Sequence, residues 1–289
     1  MTERSGPISP ALGPEGPRAV DLHLHSTASD GTLAPREVVR RARAAGLSGL
    51  SLTDHDTADG LEEAEVEARA LGLAFLGGAE LSANEPGRSV HLLAFGFDRS
   101  DPALLEFMQG YREDRVRRAK EIVRRLNGLG VPLEWGHVEA EMGGAAPTRA
   151  HLARALVASG LVPTAHQVFG RYLSRGRPAF VEKRPTPPAE VIDRVHGAGG
   201  VVLLAHPGRV HDEAAIRRWV GQGLDGVELR HPENGPEVRA RLERLALELG
   251  LLRSGGSDWH GPEAYRVEIG SEAVPIEWME AIAARCASA

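Results

Sequence analysis

Nine His, Asp and Glu side chains lie at or just after short apolar runs of this sequence. His23 and His25 flank Leu24 at the end of the first run, so an extended chain would direct both imidazoles to one face. Imidazole and carboxylate groups without thiolate suit Zn, Mn or Fe, and nine such groups are too many for one ion. The pattern therefore predicts a site for two or three divalent metal ions. The candidate ligands are His23, His25, Asp30, His55, Glu80, His91, His206, Asp258 and His260.

Glu80 is the candidate for a carboxylate shared between two of these ions. It follows the third apolar run, directly after Gly77, Gly78 and Ala79. A bridging carboxylate can hold two cations about 3.5–4 Å apart, the separation at which they activate water and stabilise a leaving oxygen. His231 follows another apolar run and is a further candidate catalytic residue.

The apolar runs alternate with amphipathic stretches, which predicts strands alternating with helices. Such an order implies an α/β fold with a parallel sheet, either open or closed into a barrel. Active sites on α/β barrels lie at the carboxyl ends of the strands, which is where the candidate ligands recur. The predicted strands are Ala19–Leu24, Gly49–Leu52, Leu73–Leu76, Ser89–Phe97, Val201–Ala205, Gly226–Leu229 and Leu251–Ser254.

The alternation is interrupted between residues 99 and 187, where the pattern is mainly helical. We interpret residues 99–187 as a helical insertion, a cap domain, in a catalytic domain made of residues 19–98 and 188–289. Residues 1–18 contain four prolines and three glycines and are expected to form a flexible tail.

Composition excludes several classes of protein. The 289 residues carry a net charge of −6, which predicts no general affinity for double-stranded DNA or for anionic membranes. No apolar run approaches the ~18 residues of a membrane span, and none near the start resembles a signal peptide. The single cysteine, Cys286, allows no intramolecular disulfide, so we expect a cytoplasmic protein. The oligomeric state is left open.

Six motifs resemble those of the PHP family, named for its polymerase and histidinol phosphatase members. They are Asp-Leu-His-Leu-His at 21–25, Thr-Asp-His at 53–55, Glu80, His91, Ala-His-Pro at 205–207 and Ser-Asp-Trp-His at 257–260, in family order. The resemblance implies a distorted seven-stranded, TIM-like (βα) barrel with a trinuclear metal site. Carried over by motif, one metal would be held by His23, His25, Glu80 and Asp258, a second by Glu80, His91 and His206, and a third by Asp30, His55 and His260.

Further motifs are similar to the stand-alone branch of that family, which resembles 3′,5′-nucleotide bisphosphate phosphatases and 5′-to-3′ exonucleases of short RNA. They are Ala-Ser-Asp-Gly at 28–31, Thr-Asp-His-Asp at 53–56, Arg149-Ala150-His151 and residues 172–181. Ala150 departs from the proline expected between the Arg and the His. The implied reaction is hydrolysis of a nucleotide or short-RNA phosphate ester by a metal-bound hydroxide, with Arg149, His151 and Arg177 as candidate substrate-binding residues.

Two alternatives stay open at this stage. One is a phosphatase for another small monoester, such as histidinol phosphate. The other is a binding module of the same family without catalytic activity, which a complete ligand set opposes. Arg149 and Arg177 have an alternative interpretation too, as solvated surface charges.

Overall fold

The structure, a computed structural model, describes residues 8–9, 18–85, 88–209, 213–262 and 267–287. The chain forms two compact units. The first unit combines Met1–Leu105 with Pro185–Ala289, and the second is Glu106–Arg184. The second unit lies wholly within the 99–187 segment expected as an insertion. Within the tail expected at 1–18, Ile8–Ser9 forms a short strand, and residues 1–7 and 10–17 lie outside the described residues.

The first unit is a mixed α/β structure with two five-stranded sheets. The first sheet has the order β1-β4-β3-β2-β10 and the second the order β5-β6-β7-β8-β9. The strands are β1 (Ile8–Ser9), β2 (Ala19–Asp21), β3 (Gly49–Leu50), β4 (Ala74–Leu76), β5 (Gly78–Glu85), β6 (Arg88–Phe95), β7 (Val201–Leu204), β8 (Gly226–Arg230), β9 (Leu252–Gly255) and β10 (Val274–Pro275).

The expectation of a purely parallel sheet is wrong for part of this architecture. Strands β2, β3 and β4 are parallel to one another, as are β7, β8 and β9. Strand β6, however, pairs antiparallel with both β5 and β7. Strands β5 and β6 are separated by only residues 86–87, which is too short for the crossover that two parallel neighbours require.

The helices of the first unit begin and end where local signals place them. Helix α1 starts with Pro35, whose fixed φ suits the first turn, and buries Val38, Val39 and Ala42. Helix α9 (Pro236–Leu249) starts with a proline and is followed by Gly250, which has a left-handed φ of 64°. The helices of this unit are α1 (Pro35–Ala44), α2 (Leu61–Ala70), α7 (Pro188–Gly197), α8 (Glu213–Val220), α9 (Pro236–Leu249) and α10 (Ile276–Cys286), with a short 3-10 turn at Pro207–Arg209.

An apolar core joins strands of both sheets to helix α10. Met279 and Ile282 on α10 are buried against a cluster that includes Val20, Phe95 and Leu203. Helix α10 was missing from the sequence-based prediction, although its apolar face closes this core. The core therefore depends on the last segment of the chain as well as on the early strands.

The second unit is helical and has an apolar core of its own, which includes Leu126, Leu156, Val168 and Leu173. Helix α3 begins before this unit and continues into it. Helix α4 was not anticipated. The helices are α3 (Pro102–Gly128), α4 (Trp135–Met142), α5 (Arg149–Ala158) and α6 (Ala165–Val168), followed by a π-helical turn at Phe169–Leu173. In both units, no helix within the described residues is long and apolar enough to cross a bilayer.

Candidate metal centre

Two segments that follow β2 and β9 run side by side and bring four of the nine candidate ligands together. The backbone N–H of His25 donates to Trp259 O at 3.0 Å, and that of Asp258 donates to His23 O at 2.9 Å. Leu24 and Trp259 form a parallel bridge between them. The backbone therefore places His23 and His25 beside Asp258, with His260 on the same segment.

The next two strand ends contribute His55 and Glu80. The N–H of Thr53 donates to Leu24 O at 2.9 Å, and the N–H of Glu80 donates to Thr53 O at 3.1 Å. His55 and Glu80 then form a parallel bridge. The third strand end was expected to carry Glu80, and the structure places it at the start of β5, immediately after β4.

His91 and His206 approach from the antiparallel part of the second sheet. In the β5–β6 register, Glu80 pairs with Leu93 and Ser82 with His91, so Glu80 and His91 lie diagonally on one face. The N–H of Ala205 donates to His91 O at 3.0 Å, which sets His206 beside them.

Glu80 lies at the centre of the cluster, and each of its oxygens faces more than one imidazole. Oε1 is 2.7 Å from His91 Nδ1 and 2.8 Å from His206 Nε2. A carboxylate with imidazole nitrogens close to both oxygens has the arrangement of a bridging ligand. The partners of Oε2 are His55 Nδ1 at 3.0 Å, His25 Nε2 at 3.2 Å and His23 Nε2 at 3.3 Å.

Asp30 occupies the other side of His55. Its Oδ1 lies 3.4 Å from His260 Nε2 and 3.9 Å from His55 Nε2. The ring of His260 stacks on that of His25, with 4.1 Å between centroids. All nine candidate ligands thus belong to one cluster. Groups with metal-ligand spacing are His25, Asp30, His55 and His260; His23, His25, Glu80 and Asp258; His55, Glu80 and His91; and His23, Glu228 and His231, the last of which adds two residues outside the nine.

Several ligand atoms in this cluster are buried without a hydrogen-bond partner in the parts of the chain that the structure describes. They include His23 Nε2, His25 Nε2 and Glu80 Oε2. An unsatisfied buried polar atom costs about 1–3 kcal/mol, so their convergence calls for a group that accepts their electron pairs. A divalent cation does so for imidazole and carboxylate alike, and these residues fit one.

Two of the candidate ligands have strained backbones. His206 has a φ of 65° and Asp258 a φ of 53°, in the left-handed region that non-glycine residues seldom occupy. The other non-glycine residue described with a positive φ is Asp56, next to His55. Strain of this kind costs of order 1–3 kcal/mol and concentrates at functional sites.

Opposite charges in the cluster lower the pKa of Glu80 and raise the pKa of His23. Burial raises the pKa of Glu80, but His55 and His91 outweigh it and hold that pKa well below 4.5. Burial lowers the pKa of His23, but the carboxylates of Glu228 and Asp258 hold it well above 6.5. The cluster therefore concentrates negative charge that attracts cations, and protons compete for the imidazoles.

This competition predicts opposite pH dependences for the metal-free and the metal-loaded protein. Because the folded pKa of His23 exceeds 6.5, its protonation stabilises the metal-free fold below that pH. That contribution is lost as pH rises through the folded pKa, whereas metal binding strengthens as protons leave. We expect the urea midpoint to fall as pH rises above 6.5 with chelator and to rise with Mn²⁺. Parallel changes in both samples would contradict this.

His231, the candidate catalytic residue, contacts Asp258. Its Nδ1 accepts from the N–H of Glu233 at 3.1 Å, so its Nε2 carries the proton and donates to Asp258 Oδ2 at 3.3 Å. Because both nitrogens of the His231 ring have a hydrogen-bond partner, the ring is held in place and orients the Asp258 carboxylate. The catalytic role considered for His231 from the sequence stays a prediction.

Sequence reasoning missed acids that hold the ligand-bearing loops. Asp21 accepts from the N–H groups of His23 and Ser257 at 3.2 and 3.0 Å, which ties two ligand segments together. Asp54 accepts from the N–H of Ser26 at 2.8 Å and thereby anchors the loop before Asp30. Both acids lie within two residues of a candidate ligand in the sequence, and that position was the available signal.

The three candidate substrate-binding residues lie in the second unit. His151 is buried, and its Nδ1 accepts from the N–H of Thr148 in a capping box that starts α5. The Arg149 guanidinium donates to Leu173 O at 3.4 Å, and Arg177 is exposed. His151 thus has a structural role in the helix start, and substrate binding by the three stays a prediction.

Comparisons with known proteins cover both units. Residues 21–129 match the family model described as the PHP domain. A 5′-3′ exoribonuclease from Haemophilus influenzae is 38% identical over 258 residues, 86% of this chain and 92% of that protein. A 3′,5′-nucleoside bisphosphate phosphatase from Chromobacterium violaceum is 35% identical over 254 residues, 84% of this chain and 87% of that protein.

A solved structure from Bifidobacterium adolescentis, described as a metal-dependent phosphoesterase, superposes with a TM-score of 0.88. It is 35% identical in sequence, and the match covers 93% of this chain and 96% of that one. The similarity therefore extends well beyond residues 21–129.

Proposed function

Because the chain belongs to the PHP family, we propose that it is a metal-dependent phosphoesterase acting on nucleotides or short RNA. The observation that carries the proposal is the position of Glu80, buried with each carboxylate oxygen facing two or more imidazoles. Phosphoryl transfer depends mainly on positioning and on neutralising charge, and a multinuclear site supplies both.

The proposed ligand assignment is the one that the family motifs imply. One cation would be held by His23, His25, Glu80 and Asp258, whose ligand atoms lie within 4.8 Å of one another. When bound, divalent Mn, Fe or Zn ions lower the pKa of water and neutralise phosphoryl charge. A second cation would be held by Glu80, His91 and His206, and a third by Asp30, His55 and His260.

The side chains themselves exclude bulk water and orient the ligands. His23, His25 and Glu80 are almost fully buried, which strengthens every electrostatic interaction at the site. The Nδ1–H of His260 donates to the backbone oxygen of Asp258 at 2.8 Å. The Nε2 atom of His260 therefore presents a lone pair toward Asp30. This hydrogen bond fixes the orientation of the His260 imidazole before substrate arrives.

The two sheets are proposed to form one distorted seven-stranded barrel, in which β4 and β5 count as a single bent strand. Backbone hydrogen bonds between the sheets support this. The N–H of Leu22 donates to Gly255 O at 3.1 Å, and the N–H of Glu80 donates to Thr53 O at the same distance. Strands β1 and β10 would lie outside the ring.

The substrate class rests on the two relatives, one named as an exoribonuclease and one as a nucleoside bisphosphate phosphatase. A metal cluster cleaves a phosphate ester without selecting what the phosphate is attached to. We propose that the second unit, as a cap domain, supplies that selection through Arg149, His151 and Arg177. A guanidinium matches phosphate oxygens with two hydrogen bonds.

A substrate panel tests this function. Mn²⁺-reconstituted protein is given a nucleoside 3′,5′-bisphosphate, a short 5′-phosphorylated RNA, histidinol phosphate and p-nitrophenyl phosphate, with phosphate and nucleotide release measured separately. We expect the two nucleotide substrates to have the highest kcat/KM. A preference for histidinol phosphate would show that the enzyme is a phosphatase for another small monoester. If none of the four substrates is hydrolysed, the result would favour a binding module without catalytic activity.

Arg149→Ala is expected to lower kcat/KM for the bisphosphate about tenfold to a hundredfold, the ~1.5–3 kcal/mol of a charge-assisted hydrogen-bond pair. The loss on p-nitrophenyl phosphate, which has no second phosphate, should be much smaller. Steady-state kinetics on both substrates measure the two losses in kcat/KM.

Arg154→Ala is the matched control, because Arg154 lies on the same helix α5 and pairs with Glu141. It should leave both substrates unaffected. Equal losses on both substrates with Arg149→Ala would assign Arg149 to the fold, through its bond to Leu173 O.

A further inference from the structure

Glu228 is a buried acid in an otherwise apolar strand. It lies in the middle of β8, is fully buried, and has the apolar neighbours Val227 and Leu229. Its Oε1 lies 2.9 Å from His23 Nδ1, whereas Oε2 has no hydrogen-bond partner among the described residues. Burying a carboxylate with one oxygen unsatisfied is unfavourable, so the fold keeps a costly group at this position.

The contact determines which nitrogen of His23 carries the proton. An ionised carboxylate can only accept, so the Nδ1–H of His23 is the donor. In the neutral ring, Nε2 then presents its lone pair toward Glu80 Oε2 and Asp258 Oδ1, each 3.3 Å away. Nε2 is also one of the buried atoms without a hydrogen-bond partner in the described part of the chain.

His231 contacts a second ligand of the same proposed cation position, Asp258. Its Nε2–H donates to Asp258 Oδ2, while Asp258 Oδ1 faces His25 Nε2 at 3.1 Å. Glu228 and His231 lie three residues apart, in strand β8 and just after it, and both orient a ligand of this one position. Strand β8 thus contributes orienting groups, although sequence reasoning assigned it only His231.

We propose that Glu228 is a positioning residue of the metal centre, which accepts the Nδ1–H of His23 and directs the Nε2 lone pair to the cation. The negative charge also raises the basicity of the ring and hence its strength as a ligand. This inference rests on the proposed metal centre. It assigns a function to a buried charge that no ligand set from the sequence includes.

Glu228→Gln tests the proposal, because it keeps the volume and removes the charge. The dissociation constant for Mn²⁺ is measured by competition with a chelating dye on metal-stripped protein. We expect the tightest site to weaken tenfold to a hundredfold. Ser254→Ala is the matched control, since Ser254 is a buried polar residue paired with Glu228 across β8 and β9. It should leave Mn²⁺ binding unchanged.

A double-mutant cycle separates positioning from a general structural effect. If Glu228 acts through His23, Glu228→Gln should change Mn²⁺ affinity less than about threefold in a His23→Ala background. An undiminished loss in that background would overturn the proposal. So would a folded Glu228→Gln protein that binds Mn²⁺ within twofold of the wild type.

A second variant covers failure of Glu228→Gln to fold. Glu228→Asp keeps the charge but is one methylene shorter, so it cannot keep the contact with Nδ1, and weaker Mn²⁺ binding is again expected. Wild-type affinity in Glu228→Asp would overturn the positioning role. Failure of the wild-type protein to bind Mn²⁺ would instead overturn the proposed metal centre.

Discussion

Glu80→Gln is expected to lower kcat on the order of a thousandfold on every substrate, with the fold retained. The carboxylate is buried and faces five imidazoles, so no neighbouring group can take its place. A neutral amide bridges two cations poorly, and its NH₂ group would point a donor at nitrogens that must ligate metal. Single-turnover kinetics and elemental analysis measure the two consequences, lost turnover and lost metal.

The matched control is Glu85→Gln, the same substitution in the same strand β5. Glu85 accepts from Arg218 and from the Trp219 indole, away from the cluster. Its variant should keep activity and metal content. Near-normal turnover in Glu80→Gln would show that Glu80 is not the bridge.

Removal of the metals is expected to lower turnover more than about a thousandfold, and Mn²⁺ should restore it. Protein purified without chelator should contain two or three divalent ions per chain. The physical reason is the set of converging buried atoms, such as His25 Nε2 and Glu80 Oε2, that a divalent cation would satisfy together. Elemental analysis before and after dialysis against chelator measures the content.

The stability of the folded protein gives an independent measure of metal loss. A ligand at a hundred times its dissociation constant stabilises the folded state by about 2.7 kcal/mol per site. The urea midpoint of stripped protein should therefore lie clearly below that of the Mn²⁺-loaded protein. Less than one metal per chain after reconstitution, or full turnover in chelator, would exclude the multinuclear site.

Much of the fold could be predicted because its signals are local. Proline at the first turn of α1 and α9, glycine after α9, and apolar spacing along the helices act within a few residues. Helices α4 and α10 were missed, and α10 forms part of the core through contacts with strands far earlier in the chain. A segment stabilised by such distant contacts carries a weak local signal.

The sequence alone identified the nine candidate ligands, because an imidazole or carboxylate at the end of an apolar run is visible in one dimension. The tertiary structure decided their distances, and it paired Glu80 with His91 by an antiparallel register that no local pattern specifies. It also decided the role of Glu228, which lies 205 residues from His23 in the chain. Residue type and spacing indicate what chemistry a group can do. Which atom it acts on depends on strand pairing, and that is set by contacts distant in sequence.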